Sequence, residues 1–232
     1  MFPPTFRVKD SAEFNELMDT VAGNIVHAHM HYQLYRDVHQ ALCDYPRVAP
    51  QSNTFWQLTL NAHLNTCWQS LGRVYDDHPH AIHLQSLLIT IKRNSDLFAQ
   101  EAFRQRLKNN PFADSLAQTP RTPDPTTLAE DISRCSPGDP LVKNLIRHRN
   151  SHVAHTDAKD MIARRNPHDR YPLTFGDLEA LLTRARTILN RYSRLLKAET
   201  YGVQPVGHDD YQFVFTSVAE KIRRDDEAIE QL

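Results

Sequence analysis

Glycine is scarce in this chain, with six among 232 residues, while fourteen prolines gather mainly at the N-terminus and in connections. Scarce glycine and clustered proline fit long helices broken by short punctuated joints. No segment sustains the apolar–polar alternation of a strand, and no internal repeat recurs, so all-β and repeat architectures are set aside. Cysteine is also sparse: Cys43, Cys67 and Cys135 are odd in number and form no C-x-x-C pair. They read as reduced thiols of an intracellular protein, not as a disulfide framework.

Charge of one sign is lacking too. Lys and Arg total 27 against 28 Asp and Glu, a net charge of −1, which argues against avid nonspecific nucleic-acid binding driven by phosphate neutralisation. It leaves room for a selective RNA partner. The longest uncharged run, Val48 to Gly72, is broken by Pro50 and by Gln, Asn, Thr and His, so no membrane span of about 20 apolar residues is expected. The start, MFPPTFRVKD, lacks the apolar stretch of a secretory signal, and a cytoplasmic protein is expected. A composition of 40% hydrophobic and 24% charged residues is ordinary for one globular domain.

What is present is helical periodicity. Asp10 or Ser11 can cap a long first helix whose Phe14, Leu17, Val21, Ile25, Ala28, Tyr32, Tyr35, Val38, Leu42 and Tyr45 recur at steps of three and four. A second helix starts near Asn53, with Trp56, Leu60, Leu64, Cys67, Leu71 and Val74 on one stripe and Phe55, Leu58 and Ala62 widening it. Carrying no charge before Arg73, it reads as the central helix. Residues 81–108 form a further helical region broken near 93–95, and residues 119–127, with three prolines in nine, are predicted to be a loop. Asp139 followed by Pro140 opens another helix. Thr174 and Asp177 form a T-x-x-D capping box for a helix reaching about Thr200. A last helix over about 209–229 carries Phe213, Phe215, Val218 and Ile222.

The segment Arg149-Asn150-Ser151-His152-Val153-Ala154-His155-Thr156-Asp157 carries the chemistry. An arginine can hold two phosphate oxygens with its planar fork, and a histidine can move a proton near neutral pH. Between Lys143 and Arg170 there are seven Lys or Arg and three Asp, so positive charge is concentrated beside this segment. Those groups suit cleavage of RNA without a metal, through attack of its own 2′-hydroxyl on the neighbouring phosphate. DNA lacks that hydroxyl. A regular helix would set His155 roughly 120° around from Arg149 and about 9 Å along the axis. The two therefore converge only if the helix is redirected near Val153 or if two subunits share the site. His152 shares a face with Arg149 and is a rival base, and Arg147 with His152 is an alternative pair.

The RNSHVAH run resembles the arginine–polar–four-residue–histidine signature of HEPN domains. The A-H-T-D that ends the segment, Phe55-Trp56, and L-G-R-V-Y-D from Leu71 to Asp76 are similar to the abortive-infection AbiU-type branch. The likeness spans roughly Phe14 to Leu196. It implies an all-α fold, an antiparallel helical bundle in a single domain over 1–232 (core about 11–200) with an extra C-terminal helix at about 209–230. It further implies a homodimer with the motif at the interface and a metal-independent endoribonuclease of toxin or phage-defence type, for which a cognate antitoxin is a partner to seek. Under this reading Arg149 stabilises the phosphate, His155 is general base or acid, and Asn150 orients one of them. Arg147, His152 and Arg73 are substrate-binding candidates. Arg73 either pairs locally with Asp76 or approaches the motif. Other branches have no demonstrated activity, so the alternative is a non-catalytic HEPN-like module binding RNA or a protein partner.

Thirteen histidines raise a metal reading. His27 and His31 lie four apart, and His78, His80 and His83 cluster after the second helix. No H-E-x-x-H is present, and HPHAIH reads as a connecting loop, so neither a metal site nor a cofactor is expected.

Overall fold

The computed structural model describes residues 6–150, 173–204 and 207–231. Asp10 starts the first helix as the residue types anticipate: its carboxylate accepts from the backbone amides of Ala12 and Glu13 at 2.8 and 3.0 Å, a cap worth about 1 kcal/mol. Helix α1 then runs over Ser11–Asp44 and α2 over Asn53–Val74. His27 meets Ser70 while His31 meets His63, so the sequence numbers run in opposite directions and the two helices are antiparallel.

The region after α2 divides where periodicity breaks. Helix α3 occupies Leu84–Arg93, a 3-10 turn follows at Ser95–Phe98, and α4 spans Gln100–Arg106. Two further helices, α5 at Ala113–Ala117 and α6 at Pro125–Arg134, were not anticipated. The proline-rich stretch predicted to be a loop over 119–127 ends instead at Asp124, whose carboxylate caps Thr127 N at 2.8 Å. Pro125 is the first helical residue of α6, where its missing N–H costs nothing. Helices α7 (Pro140–His148), α8 (Phe175–Lys197) and α9 (Tyr211–Glu230) complete the chain. Nine α-helices and no strand occur among the described residues, an all-α fold. None of these helices is long and apolar enough to cross a membrane.

The main core joins α1, α2, α3, α6, α7 and α8 around Phe14, Met18, Ile25, Leu71, Leu88, Leu145 and Leu189, all nearly inaccessible. Polar cross-links set how α8 lies. The hydroxyl of the fully buried Tyr75 donates to Leu181 O at 2.9 Å, His29 Nε2 bonds Leu182 O at 3.0 Å, and Tyr32 donates to Glu179 at 2.7 Å. Burial pushes the Tyr75 hydroxyl well above its ordinary pKa, so it stays a donor. Asp131 of α6, itself buried, accepts from Tyr192 at 2.8 Å and pairs with Arg191. Thr174 and Asp177 form the anticipated capping box. The helix ends at Lys197, three residues earlier than expected, because Ala198 turns left-handed at φ 57.

A second apolar cluster lies at the far end, where Phe215 of α9 is fully buried against Trp56, Val48, Val38 and Ala41. Its ring stacks on Trp56 with centroids 4.8 Å apart, so α9 packs back onto the bundle. The wide apolar face anticipated for α2 is narrower than its residue types suggested: Phe55 and Leu58 are 58% and 64% exposed. Phe213, grouped with the packing residues of the last helix, is 76% exposed. Phe215 takes the inward position two residues on. Cys43, Cys67 and Cys135 are all free.

Candidate functional site

Helix α7 is built to deliver Arg149. Asp139 caps it by accepting from Leu141 N and Val142 N at 3.0 and 3.2 Å, and Arg184 of α8 anchors that cap through a 3.1 Å ion pair. Val142, Leu145 and Ile146 bury one side of the helix, while His148, also buried, lies against Trp68 with ring centroids 5.0 Å apart. Regular α-helix stops at His148, and the backbone at 149–150 is π-helical, a widening often found at functional positions.

The Arg149 side chain crosses to the end of α2. Its stem lies so close to Gly72 that a Cβ added there would be 2.7 Å from Arg149 Cδ and 3.3 Å from Cγ. Only glycine admits the stem. The head is then fixed from three directions: Nη1 donates to Gly72 O at 3.0 Å and pairs with Asp76 Oδ1 at 3.1 Å, while Nε donates to Asn150 Oδ1 at 3.1 Å. Asp77 lies 3.9 Å from Nη2. Arg149 thus satisfies a carbonyl that the last turn of α2 leaves without an intrahelical partner, yet 21% of its side chain stays exposed.

Asp76 is equally constrained. Its Oδ1 also accepts the backbone amides of Asp77 and His78 at 2.8 and 3.1 Å, and its side chain is only 18% exposed. Burial pushes the carboxyl upward. The hydrogen bond and charge of Arg149 and the two amides more than offset that, holding it below the usual carboxylate range. A charged carboxylate beside a charged guanidinium is the resting state of the site.

This geometry corrects one pairing drawn from sequence distance. Asp76 pairs with Arg149, just past α7 and 73 residues on, and among the described residues no hydrogen bond or ion pair joins it to Arg73. Arg73 is exposed at the end of α2. Arg147 is exposed on α7, and Asn150 is brought onto Arg149. His152 and His155 lie outside the described residues. Gly72, Asp77, His83 and His148 were not singled out as site neighbours. The signals available were a lone glycine inside a helix and charge appearing only where an uncharged helix ends.

His83 is not part of a histidine cluster for metal. It is buried and caps α3, its Nδ1 accepting from Ser86 N at 3.4 Å. Burial depresses its pKa, partly opposed by the charges of Asp76 and Asp77. His27 and His31 gain His63 of α2, but the three form a row. Ser70 Oγ meets His27 Nδ1 at 3.1 Å, His27 Nε2 meets His31 Nε2 at 3.1 Å, and His31 Nδ1 meets His63 Nδ1 at 2.8 Å. His31 uses opposite ring nitrogens, so its lone pairs diverge. Three neutral imidazoles carry one N–H for each of the three contacts, and the row is complete without charge. Among the described residues no group of three or more His, Cys, Asp or Glu is arranged to hold a metal ion.

A family model described as AbiU2, of HEPN type, matches residues 11–219. The chain belongs to that family. No curated protein and no solved structure matches it.

Proposed function

We propose that the chain is a metal-independent endoribonuclease of toxin or phage-defence type, acting as a homodimer on RNA in the cytoplasm. The observation that carries this reading is the clamp on Arg149. Nε and Nη1 are engaged by Asn150, Gly72 and Asp76, which fixes the direction of Nη2; Asp77 lies 3.9 Å from it, beyond hydrogen-bond distance, so the Nη2 N–H groups can donate to a phosphate oxygen. A preoriented donor costs no reorganisation as charge develops at phosphorus. In the reaction the RNA 2′-oxygen attacks the adjacent phosphorus and its proton passes to a base. The bond to the 5′-oxygen breaks, that oxygen is protonated, and a 2′,3′-cyclic phosphate and a 5′-hydroxyl result. His155 is the proposed base or acid, with His152 as rival, and Asn150 orients Arg149. Gly72 and Asp76 act through Arg149 as positioning residues.

The alternative, a binding module without catalysis, is favoured by one observation: Asp76 and Asp77 flank the guanidinium and offset its charge for an incoming phosphate. Incubating the purified chain with RNA in excess chelator separates the two. The nuclease reading expects cleavage with cyclic-phosphate ends and no cutting of matching single-stranded DNA. Activity lost in chelator and restored by a divalent ion would reject the metal-independent mechanism, and RNA bound but uncut would favour the module.

A further inference from the structure

Ion pairs hold several of the described cations. On α9, Lys221, Arg223 and Arg224 each contact a carboxylate one turn away, and Arg36, Arg47 and Arg104 also have acidic partners. On the C-terminal half of α8, where Arg191 and Lys197 have acidic partners, two arginines do not. Arg186 and Arg194 line one groove together with Thr187, Asn190 and Arg191, a cavity of about 400 Å³ whose lining contains no acidic side chain. Arg191 is committed to Asp131, but neither Arg186 nor Arg194 has a carboxylate partner among the described residues. Two further arginines reach the end of α8. Arg121 donates to Arg194 O at 2.9 Å, and Arg106 donates to Leu196 O at 3.1 Å, so both guanidiniums sit on carbonyls at the end of α8 and not on acids.

The floor of the groove is rigid. Asn190 uses both ends of its amide on Tyr201, donating to its carbonyl at 3.2 Å and accepting its N–H at 2.8 Å, which folds the segment after α8 back onto the helix. Arg186 and Arg194 stand about 12 Å apart along the axis, enough to engage more than one phosphate. The helix that bears the groove also contacts, nearer its N-terminus, the helix that leads to the motif. Arg184, two residues before Arg186, holds the Asp139 cap of α7, and that cap lies about 15 Å along α7 from Arg149.

From these placements we infer that the Arg186–Arg194 groove of α8 is a second binding site, which takes the phosphate backbone of single-stranded RNA and holds it across α8 while Arg149 engages the cleaved phosphodiester. The identity of the polymer rests on the ribonuclease reading. Contacts to phosphate alone make the site indifferent to base sequence. A helix face bearing unpaired arginines beside exposed polar side chains is the kind of surface that tracks a strand by charge.

The test uses the full chain and a fluorescein-labelled 2′-O-methyl oligoribonucleotide of mixed sequence, which has no attacking hydroxyl, so binding is read whether or not the protein cleaves RNA. Arg186→Gln with Arg194→Gln is expected to weaken binding at least about tenfold, to a similar degree for unrelated sequences. The dependence of log affinity on log salt should become shallower by about 1.4, the value for two contacts to a single strand. Lys221→Gln with Arg223→Gln removes equal charge from the ion-paired face of α9 and is expected to leave both quantities nearly unchanged. Equal losses in the two double variants would reduce the effect to net charge and overturn the site. So would unchanged binding and slope in the α8 variant with its melting temperature intact, or failure of the wild type to bind the probe. Binding that depends on Arg186 and Arg194 in a chain that never cuts RNA would uphold the groove and reject the nuclease.

Discussion

Replacing Gly72 by alanine isolates the clamp on Arg149 with a change of one methyl group. In a helix interior the substitution alone favours the folded chain by about 1 kcal/mol. Here the new Cβ would lie 2.7 Å from Arg149 Cδ, well inside contact distance, and overpacking of this kind costs about 1–3 kcal/mol. The arginine can relieve the clash only by swinging away, which gives up a charge-assisted hydrogen bond to Gly72 O worth about 1.5–3 kcal/mol. Because the freed head regains water, a net loss of about 1–3 kcal/mol is expected. In an Arg149→Ala background the nearest atom to the added methyl is the Cβ at position 149, at 3.8 Å, an ordinary contact. The same Gly72→Ala change should then stabilise by about 1 kcal/mol. Urea denaturation of the wild type, both single variants and the double variant reads this reversal of sign directly. Cleavage adds a second reading, since a displacement near 1 Å at a reacting group can cost about 10²-fold in rate. Gly72→Ala having the same sign of effect in both backgrounds would refute the clamp, and full cleavage activity in that variant would refute its use in the reaction.

Acid sensitivity follows from the imidazoles between helices. Burial, and then the neighbouring rings of His27 and His63, hold His31 below its ordinary pKa, and burial does the same for His63 and His29. The native state therefore binds protons less readily than the unfolded chain. Stability should be full above the unfolded histidine pKa of about 6.5 and fall as pH drops from there through the lower folded values. Denaturation midpoints that stay flat or rise between about pH 7 and pH 5 would contradict this. Ala198→Gly relieves a left-handed residue at φ 57 and should raise stability by up to about 1–2 kcal/mol, with any loss in melting temperature counting against strain there. His155→Ala is expected to slow cleavage by about 10²–10⁴-fold with little change in thermal stability, and His152→Ala to do less. The reverse order would make His152 the base. Mixing Arg149→Ala and His155→Ala chains should restore partial activity if each site draws on both subunits, and verified heterodimers that stay inactive would point to a site within one chain.

The helix order and its start signals were legible because they are local. Asp10, Asp139 with Pro140, and Thr174 with Asp177 each act on amides within three residues, so spacing alone exposes them. Arg149 and Asn150 were visible as residue types suited to phosphate. Less visible was α6, because proline ends helices in one context and begins them in another. The exposure of Phe55 and Leu58 was hidden as well: a stripe shows that a face is apolar, not how much of it a neighbour covers.

Residue types and periodicity thus determined by themselves an all-α chain, its principal helices and a segment suited to phosphate chemistry. Only the tertiary structure decided where that segment's arginine goes. Arg149 and its acceptor at Gly72 are 77 residues apart, and the carboxylate that pairs with it could as well have taken Arg73, three residues away. The choice depends on which helix ends the core brings together, and on the one position in α2 where the absence of a side chain lets an arginine stem lie against the backbone. His63 joins His31 across the α1 and α2 contact for the same reason. Local signals act through bonds and spacings within a few residues, whereas these partners are selected by packing, which sequence distance does not encode.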